Sequence, residues 1–226
     1  MPISEQPAGA PTDISAIRKR IRQFLRTSTT EGRKIGTAKF GVYAFYDYDG
    51  EPIYVGQTKE RLSGRIARHL SNQRTDAVAM NVLDPFEVAE IEVWPFFELQ
   101  SKSGKDRRAS RKLAAAEYAV YGKVLKRSTF KAVLNEKDVP KTNPIDLPGS
   151  YRGRIIPDEL YESRKHPDVR IARRAATIAN LAKVISERQV SKGLRRTLLT
   201  QARRLERLAR LRFEEIEGRI PVGPED

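Results

Sequence analysis

Apolar positions recur along this chain with two different periods, and the alternation between them outlines the elements. Ile14, Ile17, Ile21, Phe24 and Leu25 fall three or four residues apart. They predict one buried stripe of a helix over about 13–27, capped by Thr12 or Asp13, with Arg18, Lys19, Arg20 and Arg22 largely turned away. Residues 1–11 carry no such pattern and read as disordered. After a polar linker the period shortens. Residues 41–48 and 52–56 read as two aromatic-rich strands joined by the Asp-Gly turn of "YDGE". A helix is predicted over about 59–71, a third strand within 86–96 ending near Pro95, and a helix over 109–125; residues 72–84 follow neither period.

The composition then shifts. "EKDVPKTNPIDLPGSYRGRIIPDELYESRKHP" holds five prolines and reads as a linker or an extended wrapping arm. Two helices follow, roughly 168–188 and 194–217, with "QVSKGL" as the turn between them. On the second, Leu194, Leu198, Ala202, Leu205, Ala209 and Ile216 lie near one side, with Leu208 and Leu211 beside it. Arg195, Arg196, Arg203, Arg204, Arg207 and Arg210 spread over the remainder. The expected organisation is therefore 1–38 (tail and helix), 39–137 (a compact α/β unit), 138–167 (Pro-rich arm) and 168–226 (a basic helical region).

Charge narrows the choice of partner. Among 226 residues, 43 are Lys or Arg and 29 are Asp or Glu, a formal net charge of +14. A surplus of that size favours a polyanion, and nucleic acid is the commonest one. The chain has no cysteine, which excludes disulfides, thiol catalysis and zinc ribbons and fits a reducing, cytoplasmic setting. No run approaches the roughly 18 apolar residues of a membrane span, and the N-terminus has no signal-like apolar region.

The candidate chemistry sits on two helices and a hairpin. In "TKERLSGRIARHL", Leu62, Ile66 and Leu70 form the core-facing stripe. Arg61, Arg65 and His69 repeat every four residues one position behind, roughly 100° around the helix at the edge of the buried face. Arginine there can fork onto a phosphate, and histidine can move a proton near neutral pH. On the later helix, Leu113, Val120 and Val124 mark the packed side and Glu117 falls near them, beside the small Ala114 and followed by Tyr121. An inward carboxylate needs a cation, a metal or a hydrogen-bond donor to offset its desolvation. The blander readings are a solvated basic helix edge, a rim glutamate and tyrosines packed in a sheet. Trp94 reads as core.

"GVY" at 41–43, "YVG" at 54–56, the following Thr58, Arg65 and His69 four apart, and the later helical Glu117 together resemble the GIY-YIG nuclease family. The final asparagine of that pattern is matched by Asn135 in "FKAVLN", with Asn143 as a rival. The resemblance covers roughly residues 39–137. It implies a small α/β (α+β) domain with a three-stranded antiparallel sheet flanked by helices, here extended by an N-terminal helix and a C-terminal helical hairpin. It also implies DNA phosphodiester hydrolysis with one divalent cation, Mg²⁺ or Mn²⁺, held by Glu117. Tyr43, Tyr54, Arg65, His69, Glu117 and Asn135 then become the site. Tyr43 is the expected general base or water-aligning group, Arg65 the phosphate-neutralising group and His69 the acceptor or orienter of the Tyr43 proton. Gly56 reads as the end of its strand, and Gln57 and Thr58 as helix caps or phosphate contacts.

For the DNA grip, the basic residues of choice are Lys59, Arg61, Arg68, Lys102, Lys105, Arg107, Arg108, Arg195, Arg196 and Arg203. Double-stranded DNA is the expected partner, and a homodimer is compatible, since one such site cuts one strand at a time. Three functions stay open at this point: a site-specific endonuclease of restriction, mobile-element or phage type, a structure-selective repair or recombination nuclease, and an inactive nucleic-acid-binding module.

Overall fold

The computed structural model describes residues 11–70, 84–135, 138–143 and 145–218. Its elements run α1 (Pro11–Leu25), β1 (Gly41–Tyr46), β2 (Pro52–Thr58), α2 (Leu62–Leu70), β3 (Glu90–Pro95), α3 (Arg107–Arg127), β4 (Tyr151–Arg154), α4 (Asp158–Lys165), α5 (Pro167–Glu187) and α6 (Lys192–Glu217). The expected disorder of residues 1–11 and the undecided stretch 72–84 lie outside the described residues except at their ends, where Pro11 begins α1 and Asp84 precedes a short 3-10 turn. Among the described residues, no helix is long and apolar enough to cross a membrane.

The sheet is antiparallel with strand order β2-β1-β3-β4. Because side chains alternate along a strand, β1 feeds two cores. Val42, Ala44 and Tyr46 join Val55, Trp94, Leu113, Val120 and Val124 on the α3 side. Tyr43 and Phe45 join Ile17, Ile21, Leu62, Ile66, Leu181 and Leu194 on the other side. Trp94 is a core residue, as its sequence context predicts. α3 starts at Asp106, whose carboxylate accepts from the Ala109 N–H at 2.9 Å. The Asp-Gly turn forms as expected, with Gly50 at φ 74° and its N–H donated to the Asp47 carbonyl.

Two expectations are corrected. The sheet has four strands rather than three, and the fourth comes from the Pro-rich arm. Its prolines lie outside Tyr151–Arg154, so the short segment between them keeps its N–H groups and pairs with β3. Gly153 matters here: a Cβ on it would come within 2.7 Å of the Phe24 ring of α1. The arm then closes into α4 rather than remaining extended.

The second correction concerns α6. Its buried face is Leu194, Thr197, Thr200, Gln201, Arg204 and Leu208, while Ile216 is 60% exposed. Apolar periodicity misleads here because the helix packs through an arginine. Arg204 lies 3.5 Å from the Glu51 carboxylate and donates to the carbonyls of Pro52 (3.1 Å) and Ala132 (3.3 Å). From α5, Arg174 reaches Asp47 at 2.7 Å, and Arg170 grips both oxygens of Asp49. Glu51 is further held by the Ser128 hydroxyl (2.6 Å) and the Thr129 N–H (2.7 Å) at the end of α3. The β1–β2 loop is thus an acidic knot, and the C-terminal helices bring its counter-ions.

Candidate active site

β1 and β2 set the first pair of site residues. Tyr43 stands opposite Gly56 and Phe45 opposite Tyr54, so Tyr43 and Tyr54 point to the α2 side, their ring centroids 6.1 Å apart. Gly56 lies within β2 rather than ending it. A Cβ there would meet Tyr54 Cε1 at 2.6 Å and the Tyr43 hydroxyl at 2.8 Å, so the absence of a side chain is what admits the two rings.

α2 brings the next pair. Tyr43 Oη lies 3.1 Å from His69 Nε2 and accepts from Arg65 Nε at 3.3 Å. Tyr43 is fully buried, His69 is 2% exposed and Arg65 is half-buried over them. Arg61, the other arginine of that stripe, is exposed. The hydroxyl therefore sits between a guanidinium that can only donate and an imidazole nitrogen. With Oη accepting from Arg65, its own proton points to His69 whenever Nε2 is bare.

Glu117 approaches from the opposite face of the sheet, on α3. Gln57, opposite Val42 and so turned to the α3 side, donates from Nε2 to Glu117 Oε2 at 3.0 Å. Burial pushes the Glu117 carboxyl up to about 7, against the opposing pull of the Gln57 amide and of the Arg65 charge. The site thus straddles β2, with the tyrosines, Arg65 and His69 on one side and Glu117 on the other. Asn135 is buried and clamps the outer edge of β2, donating to the Val55 carbonyl (2.8 Å) and accepting from its N–H (3.0 Å). Asn143 is exposed. Of the two asparagines, Asn135 is the one joined to the strand between Tyr54 and Gly56.

The basic residues divide. Lys59 and the 102–105 loop are neighbours, since a Cβ on Gly104 would lie 3.6 Å from the Lys59 carbonyl. Lys59, Arg61, Lys102, Lys105, Arg107 and Arg108 are exposed, whereas Arg68 is half-buried and paired with Glu60. Arg195, Arg196 and Arg203 lie on a different element, α6. Arg196 is paired with Asp138 at 2.6 Å and is close enough to bear on Tyr121, one turn beyond Glu117.

Gln57 is the residue that sequence reasoning misplaced. Thr58 is the one that serves the following turn, accepting from the Glu60 N–H at 3.1 Å. The strand alternation of "PIYVGQT" held the signal, because it puts Gln57 on the face away from Tyr54 and Gly56. Among the described residues, no group of three or more His, Cys, Asp or Glu could hold a metal ion. A cation at Glu117 would have a single protein carboxylate.

A small antiparallel sheet with helices on both faces, with a Tyr–His–Arg cluster between its first hairpin and α2, defines a mixed α/β domain with a candidate site at the β2 edge. Residues 39–108 match the GIY-YIG catalytic domain. The matched stretch includes Tyr43, Tyr54, Arg65 and His69 and stops before Glu117 and Asn135. No curated protein and no solved structure matches the chain.

Proposed function

We propose that the chain is a divalent-metal-dependent DNA endonuclease that uses Tyr43, Tyr54, Arg65, His69, Glu117 and Asn135. The observation that carries this reading is the Tyr43 hydroxyl held between His69 Nε2 and Arg65 Nε at 3.1 and 3.3 Å. A phenol has an ordinary pKa near 10, so a role in moving a proton needs both an acceptor and a nearby positive charge. Here each is in place. The net charge of +14 and the exposed lysines and arginines beside the site suit a DNA backbone.

In this reading His69 takes the Tyr43 proton, and Tyr43 aligns or deprotonates the attacking water. Arg65 covers the hydroxyl in the free protein and swings its planar fork to the scissile phosphate when DNA arrives, which uncovers Tyr43. Tyr54 orders the water or phosphate beside it. Asn135 keeps β2 in register so that the two tyrosines stay level. The donors fit a hard cation: a Glu117 carboxylate, and next to it a Gln57 carbonyl oxygen that is buried with no hydrogen-bond partner. When bound, Mg²⁺ or Mn²⁺ supplies Lewis-acid stabilisation of the phosphoryl and leaving oxygens.

The test is cleavage of supercoiled plasmid by the wild type and by Glu117→Ala, with Mg²⁺, Mn²⁺ or EDTA. Metal-dependent nicking or linearisation that the substitution abolishes is expected. Discrete fragments would select the site-specific form of the reading, and preference for branched over linear duplexes the structure-selective form. Tight binding with no cleavage of either kind would sink it in favour of a binding module.

A further inference from the structure

We propose that Gln57 is a cation-shell residue whose amide stands in for the ion in the free protein and turns its oxygen toward the ion when one binds. This rests on the reading of Glu117 as the cation's carboxylate. The argument begins with the two ends of one amide. Its Nε2 donates to Glu117 Oε2 at 3.0 Å. Its Oε1 is buried and has no hydrogen-bond partner. A carbonyl left unsatisfied away from water costs about 1–3 kcal/mol. A glutamine kept only to steady Glu117 would have its oxygen paired as well.

The two ends of a glutamine amide are nearly the same size, and rotation about the terminal torsion exchanges them. Which end faces Glu117 is set by charge. With no cation, the carboxylate calls for the N–H₂ end, the positive end of the amide dipole. With a divalent cation on the carboxylate, the N–H₂ end is repelled and the oxygen is attracted, directly or through one of the ion's waters. Hard cations favour such neutral oxygen donors beside a carboxylate. The site offers one carboxylate, so a second protein oxygen changes the affinity noticeably. Gln57 directly follows Gly56, the residue packed against both tyrosines, so the same strand would report the ion to the other face of the sheet.

The probe is the metal alone, with no nucleic acid present. Mn²⁺ affinity is read from the free-ion signal in electron paramagnetic resonance for the wild type, Gln57→Leu, Gln57→Glu and Glu117→Gln. Loss of a residue in or behind a metal shell typically costs 10–100-fold in affinity. Gln57→Leu is expected to bind about tenfold more weakly, and Gln57→Glu at least as tightly as the wild type. The side-chain amide resonances of Gln57 in the wild type are expected to shift on Mg²⁺ titration as the bond to Glu117 is lost. Wild-type affinity in Gln57→Leu together with loss in Glu117→Gln would overturn the role of Gln57 while leaving that of Glu117. Unchanged affinity in Glu117→Gln would overturn the carboxylate reading itself and this inference with it. Should Gln57→Leu fail to fold, the wild-type titration decides: Gln57 amide resonances that stay fixed at saturating Mg²⁺ overturn the proposal.

Discussion

Gly56 faces Tyr43 across the first hairpin so closely that one methyl group on it would sit 2.8 Å from the Tyr43 hydroxyl. The ring cannot yield, because Tyr43 is packed on all sides and fully buried. Gly56→Ala is therefore expected to cost about 1–3 kcal/mol through overpacking. It should also move the hydroxyl off His69. A displacement of about 1 Å at a reacting group can cost on the order of 100-fold in rate. Urea unfolding and single-turnover nicking measure the two effects separately; a variant that unfolds and cuts like the wild type would remove this contact from the account.

The hydroxyl itself can be deleted with the ring left in place. Tyr43→Phe keeps the packing against Phe45, Tyr54 and His69 and removes the bonds to His69 and Arg65. The expected result is a fall in the chemical step of about 10²–10⁴-fold, the usual weight of a positioned acid or base, with little change in DNA binding. A fall in affinity with the rate of bound substrate unchanged would assign Tyr43 to binding alone.

Arg204 makes a separate stability prediction. It is 3% exposed and faces Glu51, two backbone carbonyls and, at 4.0 Å, Asp47. Arg204→Met removes one partner of a buried ionic group and should cost about 3–5 kcal/mol. Adding Glu51→Gln in the same chain should recover part of that loss, because both charges are then gone. Denaturant melts of the two single variants and the double variant give the coupling directly, and strict additivity would contradict it.

Glu87 adds a dependence on pH. Burial pushes its carboxyl up to about 7; Arg174 and Arg170 pull the other way, and Asp47 and Asp84 add to the rise. Neither of its oxygens has a hydrogen-bond partner. A carboxyl with a raised folded-state pKa holds its proton more firmly folded than unfolded. Its contribution to stability is complete below its ordinary pKa near 4.5 and is lost as pH rises through about 7. Glu87→Gln should therefore flatten the decline of unfolding free energy between about pH 5 and pH 7.5. Parallel wild-type and variant curves across that window would show that Glu87 titrates normally.

The hairpin and the helices that carry Arg65, His69 and Glu117 were legible in the sequence because their signals are local. The four-residue spacing put Arg65 and His69 on one helix edge, while Tyr43 and Tyr54 were singled out by the resemblance of their two tripeptides. The Asp-Gly pair gave the turn. What was not legible depends on residues far apart in the chain. Arg204 reads as surface until Glu51, 153 positions earlier, is seen against it. Tyr151–Arg154 reads as part of a linker until the open edge of β3 is seen beside it. Gln57 was within reach of the alternation rule, but its partner lies 60 residues on, and a polar residue just before a helix invites the reading of a cap.

The acidic knot at the β1–β2 loop bears on how portable the matched stretch is. The domain match ends at residue 108, yet the fourth strand and the three arginines that answer Asp47, Asp49 and Glu51 all come after residue 150. A fragment cut at the end of the match would strand those carboxylates in a half-built interior and leave β3 with a bare edge. The first hairpin is owned jointly by both halves of the polypeptide, and grafting it onto another protein would mean carrying the last helix along.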